Sequence, residues 1–380
     1  MAQHNPSAPT TERLPASRPP ATDRPGTAGP STPSAGPPPG GKAPGTARRN
    51  AYFDNAKYLT ILLVACGHAW EPLTHTSRAV HAVYLTVYAF HMPAFALISG
   101  YFSRSFDMAP GRLKRLITGV VVPYLVFEIA YTLFYRWAQD DPGYPFSLLD
   151  PWYVMWFLVA LFIWRLTTPV WLALRHPLPV ALGLAVLASV SPELGGDLSL
   201  QRVLSFLPYF VLGLMLREEH FSLLRTWRVR IAAVPVTVLA VAVAYWASPW
   251  FSAGWLYHRG SVEGQGVARW MGLVSTPALF VVALVLTACF LAWVPGRHLW
   301  CTALGAGTMY GYLLHGFIIK ASRFWGWYDR PWLHTPLGEL AVTALAVGGI
   351  TLLCTAPVRR ALRGVVEPRM EWAFSRARAS

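Results

Sequence analysis

A succession of long apolar runs constrains this chain more than any single motif. A helix needs about 20 mostly apolar residues to cross a hydrocarbon core about 30 Å thick. Runs at 57–73, 80–102, 114–135, 152–173, 177–191, 200–216, 231–248, 270–294, 302–320 and 337–356 approach or reach that length. Only 13% of residues are charged and 54% are hydrophobic, whereas charged residues make up about a quarter of a soluble domain. The expected fold is therefore all-α: a polytopic transmembrane helical bundle of about ten spans. The fifth run is short and holds Pro179 and Gly183, so it is expected to tilt or to re-enter the membrane. Seventeen tryptophans and sixteen tyrosines suit the aromatic belts at membrane interfaces.

A net charge of +14 raises the question of a nucleic-acid partner, and the distribution answers it. The basic residues cluster beside the ends of apolar runs and on alternate loops, which is membrane topology rather than a groove-binding face. With Lys57 set aside inside the first run, 23 of the 32 basic residues fall on one set of loops and termini and 8 on the other. That asymmetry predicts an even number of spans with both termini in the cytoplasm. Residues 1–48, rich in Pro, Gly, Ser, Thr and Ala, cannot bury enough apolar area to order themselves and are expected to form a disordered cytoplasmic tail. Residues 357–380 read as a basic cytoplasmic tail. Cys66, Cys289, Cys301 and Cys354 have no CxxC pairing and imply neither a zinc site nor a disulfide framework. No short signal peptide opens the chain, so the first span is expected to serve as its own insertion signal.

Ionisable groups inside the apolar runs are the candidates for function. The first run is approached through Arg48, Arg49, Tyr52 and Phe53 and opens with Asp54 and Lys57; His68 follows eleven residues after the lysine. At 1.5 Å per residue the imidazole lies roughly 16 Å above Lys57, near mid-membrane. The second run descends toward the cytoplasm and carries His91 to about the same depth, with Pro93 beside it to kink the helix. Two histidines and a broken helix at one depth suggest a polar cavity. Glu71, three residues beyond His68, would share its helical face and orient the ring. Glu128 and His315 are secondary cavity candidates. Each has a plainer alternative: a mid-span histidine or glutamate can simply bond a neighbouring helix, and Glu71 can sit at the outer interface. Gly307 and Gly311 form a small-xxx-small pair that lets helices approach closely, and Tyr310 stands where a dinucleotide loop would need its third glycine.

Other membrane chemistries lack their residues. His68 and His75 are spaced wrongly for a histidine metal cluster, Leu73 stands where an HxxxxD acyltransferase has its aspartate, and there is no GxSxG elbow or Walker loop. No metal is expected. The series Asp54-x-x-Lys57-x10-His68, then Phe90-His91-Met92-Pro93 and Ser99-Gly100-Tyr101, resembles the acyltransferase 3 family of integral membrane O-acyltransferases. It looks most like the fucose 4-O-acetylase-like branch. The likeness continues through Arg112-Leu113-Lys114-Arg115, Pro151 to Leu158, Phe206 to Gly213 and Gly305 to His315, which makes 49–356 an acyltransferase 3-like transmembrane domain.

That resemblance implies that His68 corresponds to the family's essential first-span histidine and that Lys57 takes the place of a basic residue, more often arginine. It implies that Arg112 and Arg115 match a motif associated with acyl-donor use. The donor it implies is acetyl-CoA or another acyl-CoA. Arg104, Arg112, Lys114 and Arg115 form the densest short basic loop on the cytoplasmic face and suit its phosphates, although positive-inside topology alone would also put basic residues there. The expected activity moves an acyl group at mid-membrane to a hydroxyl of a cell-surface glycan or small secreted metabolite, with His68 as general base or transient acyl carrier. The expected location is a bacterial-type plasma membrane. A proton-coupled secondary transporter is the alternative, although no internal repeat relates the two halves as in many transporters. An idle scaffold that presents or moves a lipid-linked glycan is a third reading.

Overall fold

The computed structural model describes residues 50–194, 196–368 and 370–373. The proline-rich N-terminal tail, with Arg48 and Arg49, and the last basic residues Arg369, Arg376 and Arg378 lie outside them. The described residues form helices, turns and loops, with no strand.

Helix α1 (Ala51–Trp70) begins where the Asn50 side chain accepts the Tyr52 amide (3.0 Å), satisfying one of the donors a helix start leaves open. Most of its circumference is buried, so it is a central strut. Helix α2 (Arg78–Ser103) is capped by Ser77 and runs on through Pro93; the proline removes a backbone donor without ending the helix. Helix α3 (Pro110–Ala138) contains a π-helical turn at Ile117–Val121. Pro123 follows it, and its ring would clash with the carbonyl of Gly119 in a regular α-turn. The wider turn relieves that clash.

The fourth expected span is not one helix. Residues 151–155 form turns around Tyr153, whose φ is +52°, and the helix is split into α4 (Trp156–Leu166) and α5 (Thr168–Ala173). Helix α6 (Pro177–Val190) has Pro179 inside its first turn, where proline is tolerated. Its 14 residues span about 21 Å, short of a full crossing. Then come α7 (Leu200–Met215), the short α8 (Glu218–Leu224), α9 (Trp227–Ala247), the single turn α10 (Gly254–Tyr257) and α11 (Gly272–Trp293). Helices α12 (Thr308–Phe324), α13 (Pro336–Leu353) and α14 (Ala356–Val366) close the described chain. The segment read as a C-terminal tail thus begins in a helix.

Each expected apolar run falls on a helix or helix pair. Among the described residues, six helices are long and apolar enough to cross a membrane: α2, α3, α7 with its leading turn, α9, α11 and α13; α4 and α6 are shorter apolar helices. Helix α1 stands apart from these six because Asp54, Asn55, Lys57 and His68 lower its hydropathy, and α12 because it has 17 residues and carries His315, Lys320 and Arg323. By contrast α9 buries only Ala233 and exposes Val234, Val238, Leu239, Val243 and Trp246. An apolar helix with its side chains exposed all round belongs in lipid.

Two close approaches fix the interior. A Cβ on Gly100 would collide with the Phe210 carbonyl, and one on Gly213 with the Leu97 carbonyl, so α2 and α7 cross backbone to backbone. The Gly307 and Gly311 pair does the same for α12 against α13: added Cβ atoms would meet the Cys354 carbonyl and the Cys354 Sγ. The small-xxx-small expectation holds.

Candidate active site

Helix α1 delivers His68 to the wall of a cavity of ≈ 150 Å³, lined also by Glu71, Tyr88, His91, Tyr153, Trp156, Arg202, Tyr257, Arg259, Lys320 and Arg323. A second cavity of ≈ 480 Å³ shares Tyr153, Arg202, Arg259 and Lys320 with it and adds Glu128, Asp150 and Tyr144. A polar cavity around His68 and His91 is present, beside the last turn of α1, and it gathers residues from α1, α2, α7 and α12 and from the loops at their shared end.

The imidazole of His68 is held from several sides. Its Nδ1 is 3.1 Å from the Tyr88 hydroxyl on α2. Its ring centroid lies 5.0 Å from that of Tyr153 and 5.6 Å from that of His315. Tyr88 in turn packs edge-on against His91 at 4.6 Å. Of the other two histidines, His315 therefore approaches His68 directly, and His91 is reached through Tyr88.

Two tautomers follow from the backbone. Nδ1 of His315 faces the Gly311 and Tyr312 carbonyls (3.0 and 2.8 Å), and Nδ1 of His91 faces the Val87 carbonyl (2.9 Å). A carbonyl can only accept, so each Nδ1 carries a proton and each neutral ring presents a bare Nε2. Nε2 of His315 is buried and has no partner among the described residues, and neither does the Tyr153 hydroxyl. Buried polar atoms are ordinarily paired. Two orphans beside one imidazole, one of them on a residue held at positive φ, mark a site rather than a packed core.

Glu71 does not orient His68. Glu71 keeps helical backbone, with its N–H on the Gly67 carbonyl, and lines the same cavity as His68, but its carboxylate is taken by another partner. Its Oε2 accepts from Arg323 Nη2 (2.9 Å), which also donates to the His68 carbonyl (2.9 Å). The glutamate thus holds the end of α1 against α12, and Tyr88 is the ring's direct partner. Glu128 accepts the Trp152 amide with both oxygens (2.9 and 3.0 Å), holding the turn that presents Tyr153. In the neighbouring loop, burial and then the Arg202 charge hold His258 down at about 4, so that imidazole is neutral near pH 7.

The remaining candidates sit at the other end of α1. Asp54 and Lys57 pair with each other at 2.7 Å, and Lys57 Nζ lies 5.6 Å from the Phe102 ring. Phe102 lines a separate basic cavity of ≈ 450 Å³ with Ser103, Ser105, Arg112, Arg115 and Arg165. Arg112 and Arg115 meet there as expected. Arg104 turns away: it donates to the Tyr101 and Leu216 carbonyls and stacks on the Tyr101 ring at 3.9 Å. Lys114 is not among the residues lining that cavity. Lys57 and Asp54 therefore flank the basic cavity, not the imidazole.

Reasoning from sequence missed Tyr88, Tyr153, Lys320, Arg323, Arg202, Arg259 and Arg165 as site residues. Lys320 and Arg323 carried a signal, two cations three residues apart at the end of an apolar run on the side poor in basic residues. Arg165 carried none, because fifty residues separate it from Arg115.

Among the described residues, no group of three or more His, Cys, Asp or Glu is placed to hold a metal ion. The profile of the acyltransferase 3 family, described as an acyltransferase domain, matches residues 50–356. The chain matches no curated protein and no solved structure.

Proposed function

The chain belongs to the acyltransferase 3 family and is an integral membrane O-acyltransferase, and on that premise we propose that His68 is the group through which the acyl moiety passes. The observation that carries this is the imidazole at the wall of a polar cavity, steadied by Tyr88, with the unpartnered Tyr153 hydroxyl beside it. With Nδ1–H donated to the Tyr88 oxygen, Nε2 holds a lone pair for an incoming proton.

In the general-base form, Nε2 takes the proton of the acceptor hydroxyl while its oxygen attacks the thioester carbonyl. The C–S bond then breaks, and the departing thiolate collects that proton from the imidazolium. Tyr153 is the donor for the transient oxyanion, a role its unpartnered hydroxyl supports. In the carrier form, Nε2 attacks the thioester and the C–S bond breaks to release the thiolate; the acceptor hydroxyl then attacks the acyl-imidazole, the N–acyl bond breaks to restore the neutral ring, and the hydroxyl proton passes to the thiolate.

Acyl-CoA is the proposed donor, with acetyl the group moved, as the likeness to the fucose 4-O-acetylase-like branch suggests. Its phosphates suit the cavity of Arg112, Arg115 and Arg165, where planar guanidinium forks can each donate two hydrogen bonds. That cavity lies at the level of Lys57, roughly 16 Å below His68 along α1, a gap for the pantetheine arm of CoA to bridge. The proposed acceptor is a hydroxyl of a surface glycan or secreted metabolite presented from the opposite end, in a plasma membrane of bacterial type. Family membership favours acyl transfer over the proton-coupled transporter.

The test is acetyl transfer from labelled acetyl-CoA in membranes containing the His68→Ala variant. Loss of transfer with normal expression is expected; retained transfer would sink the proposal. An acid-labile label trapped on the protein without acceptor would select the carrier form.

A further inference from the structure

The cavity beside His68 has a charge imbalance that neither membrane topology nor the proposed donor accounts for. Arg202, Arg259, Lys320 and Arg323 line it against one carboxylate, Glu71, and that carboxylate is bonded to Arg323; the adjoining cavity adds Glu128, which accepts the Trp152 amide, and Asp150, and neither forms a salt bridge with these cations among the described residues. Among the described residues, Arg202, Arg259 and Lys320 make no salt bridge. Arg202 is 8% exposed, its Nε donates to the Tyr257 carbonyl (3.2 Å), and its guanidinium lies 5.0 Å from the Trp156 ring. Lys320 Nζ stands 4.3 Å from the Tyr153 ring and 5.2 Å from the Trp152 ring. Aromatic faces hold these cations in place without neutralising them.

A buried cation without a counter-charge is costly; that cost falls on Arg202, which is buried, and in part on the half-buried Lys320, whereas Arg259 is exposed. The positive-inside bias gives no reason for this cluster, because these residues belong to the set of loops poor in basic residues. The phosphates of a CoA donor already have a basic cavity at the other end of α1. The missing counter-charge therefore belongs with whatever enters beside His68 from this end.

We propose that the acceptor is an acidic carbohydrate, carrying a carboxylate or a phosphate ester near the hydroxyl that is acylated, and that Arg202, Arg259 and Lys320 bind that anion. This rests on the reading of the His68 cavity as the place where the acceptor binds. The three cations would set which hydroxyl faces Nε2 by anchoring the anionic group at a fixed distance from it. Arginine at two of the positions suits a planar carboxylate or a phosphate, either of which accepts two parallel hydrogen bonds.

The experiment measures equilibrium binding to the full chain in phosphatidylcholine nanodiscs without acyl donor. The probes are glucuronic acid, glucose 6-phosphate, glucose and CoA. At least one acid sugar is expected to bind about tenfold or more tighter than glucose, the scale of one hydrogen bond to a charged group. The two acid probes separate carboxylate from phosphate ester. Lys320→Gln and Arg259→Gln are expected to lose that preference, and Lys320→Arg to keep it should Lys320→Gln fail to fold. Glucose binding as tightly as both acid sugars overturns the proposal. So does an unchanged preference in both glutamine variants, or a loss of CoA binding in them with acid-sugar binding intact. His68→Ala is expected to bind the acid sugar normally while failing in transfer. Retained transfer in that variant would therefore remove the catalytic reading and leave the binding result standing.

Discussion

At the level of single residues, the strongest constraint is the way three histidines are fixed. His91 and His315 spend their Nδ1 protons on backbone carbonyls, whereas His68 faces a hydroxyl. A hydroxyl can donate or accept, so His68 alone of the three is not held to one tautomer by its anchor. Replacing His68 with Ala is expected to lower transfer by about 10²–10⁴-fold, the range of a general acid–base contribution, with thermal unfolding little changed. Tyr88→Phe keeps the ring and deletes the anchor; it is expected to cost about tenfold in kcat, the scale of one hydrogen bond, with donor KM unchanged. An equal loss in an assay of protein folding would reassign Tyr88 to structure. His68, His91 and His315 were legible in the sequence because an imidazole stands out in an apolar run. Tyr153 was not, since nothing in one sequence says that a tyrosine will be turned to positive φ and left without a partner. Glu71 was legible as an ionisable group on the face of His68, but one sequence could not show that Arg323, 252 residues away, takes its carboxylate.

Among the helices, hydropathy located each apolar run because a spanning segment needs only length and few charges. It could not see that residues 151–155 leave the helix to carry Tyr153, or that the π-turn ahead of Pro123 widens α3. Both depend on local backbone sterics and tertiary partners, which average hydropathy does not report. The α2–α7 crossing is the most demanding of the contacts between helices, with Gly100 and Gly213 each facing a carbonyl of the other helix. Gly100→Ala is expected to destabilise by about 1–3 kcal/mol, as overpacking does, seen as a lower unfolding temperature in nanodiscs. Gly119→Ala, where nothing lies within reach of an added Cβ, is the matched control and is expected to unfold at the parent temperature. In the first turns of α3, Arg112→Gln and Arg115→Gln are expected to raise the acetyl-CoA KM by about tenfold each while leaving kcat within about twofold, because a phosphate contact far from the reacting carbon contributes to binding and not to the barrier. A fall in kcat without a change in KM would remove these arginines from the donor site.

For the whole molecule, the proposed reaction depends on two cavities facing opposite compartments. The basic cavity of Arg112, Arg115 and Arg165 adjoins the start of α1, and the cavity of His68 adjoins its end. If ten segments cross, the loop between α3 and α4 faces outward and α8 faces the cytoplasm. Single cysteines can test this cleanly, since Cys66, Cys289, Cys301 and Cys354 are all buried and leave little background for a charged maleimide. Gly143→Cys, in the loop after α3, is expected to react with the impermeant reagent on intact cells. Ser222→Cys, on α8, is expected to react only after the membrane is opened. Reaction of both from outside would mean an even number of crossings between them. The two cavities would then lose their assignment to opposite faces, and a cytoplasmic thioester could not meet an external alcohol at His68 by the route proposed. The charge bias of the loops predicts the first pattern, and the number of basic residues on each side makes it a strong prediction: 23 of 32 lie on the side assigned to the cytoplasm. Of the 8 on the other side, four line the cavity of His68, so the exceptions to the topological rule are concentrated where an anionic substrate would use them.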